Sequence, residues 1–331
     1  MTVKTSSSFL SKAKCALLLS LLMVPVLSHA QSPDLVGPLR FASSPSGLVV
    51  GDYVGQKVVF LDPQTLEITD SFQIYTDETQ LEYGKPLSVG WMNGRLYVGE
   101  ENTGLIQVWE YDNGKSNPKS QGKSKDAGWV QLSPSLTALS VMQPSAIAAD
   151  ESLGLLFVAS KGQQAVLVLD EAGNILRTIG GPGLLGNPQA IALDRAGQRV
   201  FVSDDGIEKC GMMGCSRLAA VRIYDYEGLL LATIDGNAGN AGYQFSRAQG
   251  VALDGSGRLY LADSYRHEVM VFEESAPNTF SALGLLGGRG AGPGQLLMPT
   301  GVYFDPVTSR ICVASTMLSR VEVFGMEDLV Q

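Results

Sequence analysis

Histidine is the scarcest chemistry in this sequence: His29 and His267 are the only two in 331 residues. Once His29 is assigned to the leader described below, a two-His or three-His zinc site cannot be assembled. A Ser-His-Asp triad would have to be centred on His267. Positive charge is also short, with 24 Lys+Arg against 33 Asp+Glu and a net charge of −9. That balance excludes a general nucleic-acid binder, which needs a basic footprint. Long apolar runs are missing as well. The stretch Ala16 to Leu27 has twelve residues and contains Pro25, short of the roughly 20 that a spanning helix needs. The four cysteines include no Cys-x-x-Cys-His, so no c-type haem is attached covalently. The glycine runs at Gly180–Gly183 and Gly287–Gly294 lack the Gly-Lys-Ser/Thr ending of a phosphate loop.

What is present points to a folded, turn-rich chain. Forty-five per cent hydrophobic and 17% charged residues suit a globular protein, while 38 Gly and 15 Pro suit sheets and turns better than a helical bundle. Lys4, Lys12 and Lys14 precede the apolar stretch, and Ser28-His29-Ala30 supplies a small-x-small cleavage pattern. Residues 1–30 are therefore expected to be a signal peptide removed after Ala30. No Cys follows that point, so no lipid anchor is expected, and residues 31–331 should be periplasmic or secreted without membrane insertion. The leader takes three Lys and no acid, so the net charge of −9 falls to −12. Cys210, Cys215 and Cys312 remain.

The mature segment repeats one unit six times. The phrase Asn187-Pro188-Gln189-Ala190-Ile191-Ala192-Leu193-Asp194, followed by Arg199 to Asp204, returns from Ala248 to Asp254 with Arg258 to Asp263. Further copies run from Pro144 and Pro299, with weaker ones from Pro38 and Pro86. The anchors Pro38, Pro86, Pro144, Pro188, Ala248 and Pro299 are 44 to 60 residues apart. From Asp52, Glu100, Ser160, Asp263 and Ser315, the next apolar run opens six residues later each time. In the fourth copy that distance is 17, an insertion of eleven. Four short strands per repeat and six repeats predict an all-β, six-bladed propeller of four antiparallel strands per blade. The sixth copy's last strand is not obvious; Pro33–Val36 or Glu327–Val330 would complete it, and we favour the first.

The best copy, Gly250-Val251-Ala252-Leu253-Asp254 through Leu261-Ala262-Asp263-Ser264 to Val269-Met270-Val271-Phe272, resembles the NHL-repeat family of β-propellers, here of an exported bacterial type. The linker Gly287 to Gln295 resembles that family's inter-blade segment. Where the family commonly has Arg before the third strand, this chain has Lys57, Gly104 with Leu105, Ala165, Ala220, Glu268 and Arg320. The resemblance brings enzymes to compare. Gluconolactonase-like propellers hold calcium on the axis, and amidating lyases on this scaffold use His clusters around copper or zinc. The residues expected to enter the channel are Leu39, Leu87, Ser145, Gln189, Gln249 and Thr300, then Arg40, Ser88, Ala146, Ala190, Gly250 and Gly301. Neither ring holds a carboxylate, which a hard cation wants among its ligands.

Asp150, Asp194, Asp254 and Asp305 look like a catalytic ring but sit at Asp-x-x-Gly type turns, where Asp bonds its own backbone. The insertion Asp204 to Arg217 holds Cys210-Gly211-Met212-Met213-Gly214-Cys215, expected to close a small disulfide loop in an oxidising compartment. His267, in the matching loop of the next copy, is expected to bond neighbouring carboxylates. Copper on Cys210, Met212, Met213, Cys215 and His267 is the alternative, as is axial calcium; no cofactor is the expectation. Cys312 reads as buried. Asn113 to Asp126, with four Lys, reads as a solvated loop. The expected function is a non-enzymatic binding or scaffold module. It would hold a protein, such as an envelope or redox protein, or an extracellular polymer, through Met212, Met213, Tyr265, Arg266, His267 and Met317. A metal-dependent propeller hydrolase or lyase is the competing reading.

Overall fold

The computed structural model describes residues 35–331 except 77–78, 113–119, 124–127, 137–141, 207, 212–213 and 237–243. Of 120–123, 133–136, 208–211 and 214–217 it gives the backbone course alone. The expected leader lies outside the described residues. Among those residues no helix is long and apolar enough to cross a membrane.

Each repeat is a sheet. Blade 1 runs Pro38–Ser44, Gly47–Asp52, Lys57–Leu61 and Ile68–Gln73, and blade 3 runs Pro144–Asp150, Leu155–Ser160, Ala165–Leu169 and Ile175–Gly180. Blade 4 is Pro188–Asp194, Arg199–Asp204, Ala220–Asp225 and Leu230–Asp235; blade 5 is Ala248–Leu253, Leu259–Asp263, Glu268–Ala276 and Thr279–Gly287. Blade 2 is Pro86–Met92, Arg95–Glu100, Ile106–Tyr111 and Trp129–Leu136, with Ser120–Lys123 added at its outer edge. Part of the lysine-rich stretch read as a loop is therefore an extra strand. Blade 6 has three strands among the described residues: Pro299–Asp305, Arg310–Ser315 and Arg320–Phe324. All pairings within the blades are antiparallel, and the six innermost strands touch in turn until blade 6 meets blade 1. The chain is an all-β six-bladed propeller.

The second and third strands read as continuous apolar runs because both faces are covered by neighbouring blades. Phe157, Val166, Val168, Val200, Phe201, Val202 and Ile223 share one core between blades 3 and 4. Between blades 1 and 2, Phe60 stacks on Trp129 at 4.9 Å and Phe72 meets Trp109 at 4.7 Å. Cys312 is buried as expected, and burial pushes its thiol up to about 12.

Neither terminus builds a described fourth strand on blade 6. Leu35 joins the core cluster of Cys312, Val321 and Val323, and residues 33–34 lie outside the described residues. The tail pairs elsewhere: Val330 exchanges two backbone hydrogen bonds, 2.8 and 2.9 Å, with Leu285 of blade 5's outer strand. It extends the fifth blade instead of closing the sixth.

Candidate functional site on the propeller axis

Strand alternation fixes two rims. The inter-blade linkers and the loops from second to third strand share the anchor rim; the remaining loops share the turn rim. Acidic residues do different work on each. On the turn rim, Asp194 accepts from Gly197 N–H (2.9 Å) and Arg199 (2.8 Å), and Asp254 from Arg258 N–H (2.9 Å) and Tyr260 O–H (2.9 Å). Asp305 accepts from Val307 N–H and Thr308 N–H. Asp150 accepts from Ser152 O–H at 2.6 Å and Tyr226 O–H at 3.0 Å. Burial alone would raise the Asp150 pKa, but the Ser152 and Tyr226 hydroxyls outweigh it and hold it below the usual range. The four aspartates are turn and packing residues, as their sequence context implies.

On the anchor rim, the last residue of each second strand is buried and ties the incoming linker to the outgoing turn. Asp52 accepts from Gly37 N–H (2.7 Å) and Gly55 N–H (3.2 Å), Glu100 from Lys85 N–H (2.9 Å) and Thr103 N–H (2.7 Å). Asp263 accepts from Ser246 N–H (2.7 Å) and Tyr265 N–H (2.9 Å). Asp204 accepts from Asn187 N–H (2.6 Å), Gly206 N–H (3.2 Å) and Arg222. The Ser160 hydroxyl bridges the same two segments, donating to Met142 O and accepting from Gln163 N–H, and the Ser315 hydroxyl holds the linker at Leu297 N–H.

Every innermost strand carries a register shift just after its anchor. In four blades the carbonyls of these bulge residues meet on the axis around Arg40. Its guanidinium donates to Ser145 O (3.1 Å), Leu39 O (3.0 Å), Thr300 O (2.8 Å) and Gln189 O (3.0 Å). Those carbonyls come from blades 1, 3, 4 and 6. Gly250 and Gly301 allow the close approach, since a Cβ there would stand 2.7 Å from Thr300 O and 2.5 Å from Leu39 O. Arg40 is 6% exposed, and burial lowers its pKa to about 10, still charged at neutral pH. Below it lies a pocket of about 40 Å³, and beyond that a funnel of about 1460 Å³ opens on the turn rim past Trp91, Tyr303, Phe304 and Arg195. A divalent cation on this axis does not fit: the ring offers neutral carbonyls, and a fixed positive charge already takes four of them.

Above Arg40 lies a third ring that the sequence reading passed over. It comprises the residue after each second strand: Tyr53, Glu101, Lys161, Asp205, Ser264 and Thr316. Tyr53 O–H donates to Glu101, and burial followed by that bond raises the Tyr53 pKa to about 12. Ser264 and Thr316 donate to Pro299 O (2.6 Å) and Pro38 O (2.7 Å) of the next blade. Asp205 pairs with Arg247 at 3.7 Å. Lys161 has no hydrogen bond or ion pair from its ammonium among the described residues. Burial, then repulsion from Arg40, lowers its pKa to about 8 against the pull of Asp205 and Glu101.

The residues singled out in the sequence fall near this mouth but do not form one site. Tyr265 and Met317 are exposed on the anchor rim. Arg247 lies over the Tyr265 ring at 4.9 Å, and Arg266 pairs with Glu268. His267 does not bond a carboxylate as expected: it sits at φ 61°, and its Nδ1 accepts from Met298 N–H at 3.0 Å. The insertion forms a hairpin, Glu208–Gly211 with Gly214–Arg217, in which Cys210 and Cys215 stand opposite each other. Met212 and Met213 lie outside the described residues, as do the cysteine side chains. Among the described residues no three His, Cys, Asp or Glu side chains cluster as a metal site would require.

With this geometry in hand, residues 245–272, the core of blade 5, match the profile of the NHL repeat. The propeller is similar to Kuenenia stuttgartiensis hydrazine synthase, at TM-score 0.56 and 15% identity over 90% of this chain and 97% of that one. It is also similar to a Xanthomonas campestris gluconolactonase (TM-score 0.58, 14% identity, 89% and 86% covered). An auxiliary nutrient-binding protein from Bacteroides thetaiotaomicron gives TM-score 0.58 at 11% identity, over 88% and 69%. At these identities the likeness is one of fold. No curated protein matches the sequence.

Proposed function

We propose that this chain is an exported, non-enzymatic binding propeller that holds a protein partner through its anchor rim. One observation carries the reading. Of the sixteen exposed large hydrophobic side chains among the described residues, eight belong to that rim: Val36, Val54, Leu81, Tyr83, Met142, Leu184, Tyr265 and Met317. Adaptable methionines and amphipathic tyrosines suit protein recognition better than a polymer surface. An envelope or redox protein is the expected kind of partner. The hairpin at 208–217 stands on the same rim, and its register supports a Cys210–Cys215 disulfide. Unreduced protein from an oxidising compartment should then be two hydrogens lighter than the reduced form.

Two observations weigh against the enzymatic alternative: Arg40 takes the carbonyls on the axis, and the turn-rim aspartates are engaged by their own turns and by Tyr226. The test is partner capture from the native compartment with charge placed on each rim. Tyr265→Asp and Met317→Asp should each lower recovery of the captured protein about tenfold, the cost of a charge desolvated at an interface core. Val307→Asp, on the turn rim, should leave recovery unchanged. Equal loss from both rims, or from neither, would sink the assignment.

A further inference from the structure

The mouth above Arg40 is chemically unlike the rest of the molecule. The whole chain is acidic at −9, yet Lys161, Arg247, Arg40 and Lys85 gather there around Glu101 and Asp205, while the carboxylates that end the second strands are taken up by backbone N–H groups. The two acids already have close partners: Glu101 takes Tyr53 O–H and stands 3.8 Å from Lys85, while Asp205 takes Arg247. No close carboxylate is left for the Lys161 ammonium. The next two blades in ring order contribute channel amides, Gln189 and Gln249, 2% and 7% exposed. The Gln249 Nε2 and the Arg247 Nε are buried with no hydrogen-bond partner. A buried donor left without a partner is costly, and such exceptions call for an occupant. Register locates the amide at the mouth: Thr300, Gln249's equivalent in blade 6, contacts the third-ring Thr316 at 2.6 Å, which sets Gln249 beside Ser264.

An ammonium and an amide N–H at this mouth, with Arg40 as a cationic floor, are donors suited to an anionic acceptor. We propose that this vestibule is a binding site for a small carboxylate, held by an ion pair to Lys161 and a hydrogen bond from Gln249. Phosphate suits it less, because Arg247 is already committed to Asp205 and Tyr265 and Arg40 to four carbonyls, so no bidentate fork is on offer. The site is independent of the protein-binding reading. A partner could cover the rim or not, and the same donors would remain.

Lys161 reports on its own occupancy. An amine lowered to about 8 is a larger free-base fraction at pH 7.5 than an ordinary lysine, so it should dimethylate faster than Lys57 with trace formaldehyde and cyanoborohydride. A bound carboxylate restores the charge. Rising propionate should slow Lys161 labelling about tenfold, one pKa unit's worth, with Lys57 unchanged, read by peptide mass spectrometry on the folded full-length chain. Propionamide should give no protection. Gln249→Ala, checked for an unchanged melting temperature, should need several-fold more propionate. Labelling of Lys161 unmoved by propionate would refute the site. Equal protection by inorganic phosphate or chloride would refute the carboxylate preference, leaving only general anion screening.

Discussion

The two rims of this propeller spend their acids in opposite ways. On the turn rim Asp194, Asp254 and Asp305 fold back on their own turns, Asp150 adds a single bond to Tyr226 of blade 4, and a wide funnel stays open between the blades. On the anchor rim, Asp52, Glu100, Asp204 and Asp263 hold backbone N–H groups from two segments at once, and Arg40 ties four blades together at the axis. A rim built by cross-linking thus gains rigidity, and Asp52, Glu100 and Asp263 are occupied by backbone instead of by the basic side chains beside them.

The difference can be broken first at Arg40. Arg40→Met should cost about 3–5 kcal/mol in urea unfolding, because a guanidinium bonded to four buried carbonyls is replaced by a group that bonds none. A cost under 1 kcal/mol would show that water readily takes its place. Next come the acids. Asp263→Asn should cost about 2–3 kcal/mol through charge-assisted bonds to two segments, and Asp194→Asn about 1 kcal/mol at a half-exposed turn. Equal costs would erase the distinction between rims. Smaller still is the pH dependence of Lys161. Its folded pKa of about 8 lies below the unfolded value of about 10.4, so between these the unfolded chain binds more protons. The Lys161 contribution to stability must therefore rise with pH across that window. Lys161→Met should flatten the rise relative to wild type in urea midpoints taken at pH 8, 9 and 10. Last, Cys312 should resist iodoacetamide until the fold opens, because only the thiolate reacts.

The repeat, the strand order and the role of the turn aspartates were legible because they rest on local patterns: apolar runs, Asp-x-x-Gly turns and fixed offsets. The site was half legible. Arg40 stood in the right ring, but the bulge that turns carbonyls of four different blades onto it is a backbone feature with no residue signature. Glu101, Lys161 and Asp205 could have been found, since each directly follows the position used to set the register. The two rings nearest the anchor do not exhaust the channel lining, and the third lies one residue beyond the strand end that sets the register. His267 was misassigned for a plainer reason. Its partner is the N–H of Met298, 31 residues away, and backbone groups at that distance leave no mark in composition. The tail's pairing with Leu285 was hidden likewise, because a two-residue bridge has no pattern.

Arg40 lies in the first blade, and one of the carbonyls it grips, Thr300 O, lies in the last. Thr316 and Ser319 add bonds from blade 6 to Pro38 and Val36. On a ribosome the arginine emerges about 260 residues before that partner. The first blade can form its strands early, yet its charge has no complete seat until the last blade exists. Closure must then await the whole chain, a loop as long as the domain itself. On the export proposed above, that delay has a use: a chain that cannot lock before its end is made stays unlocked for translocation.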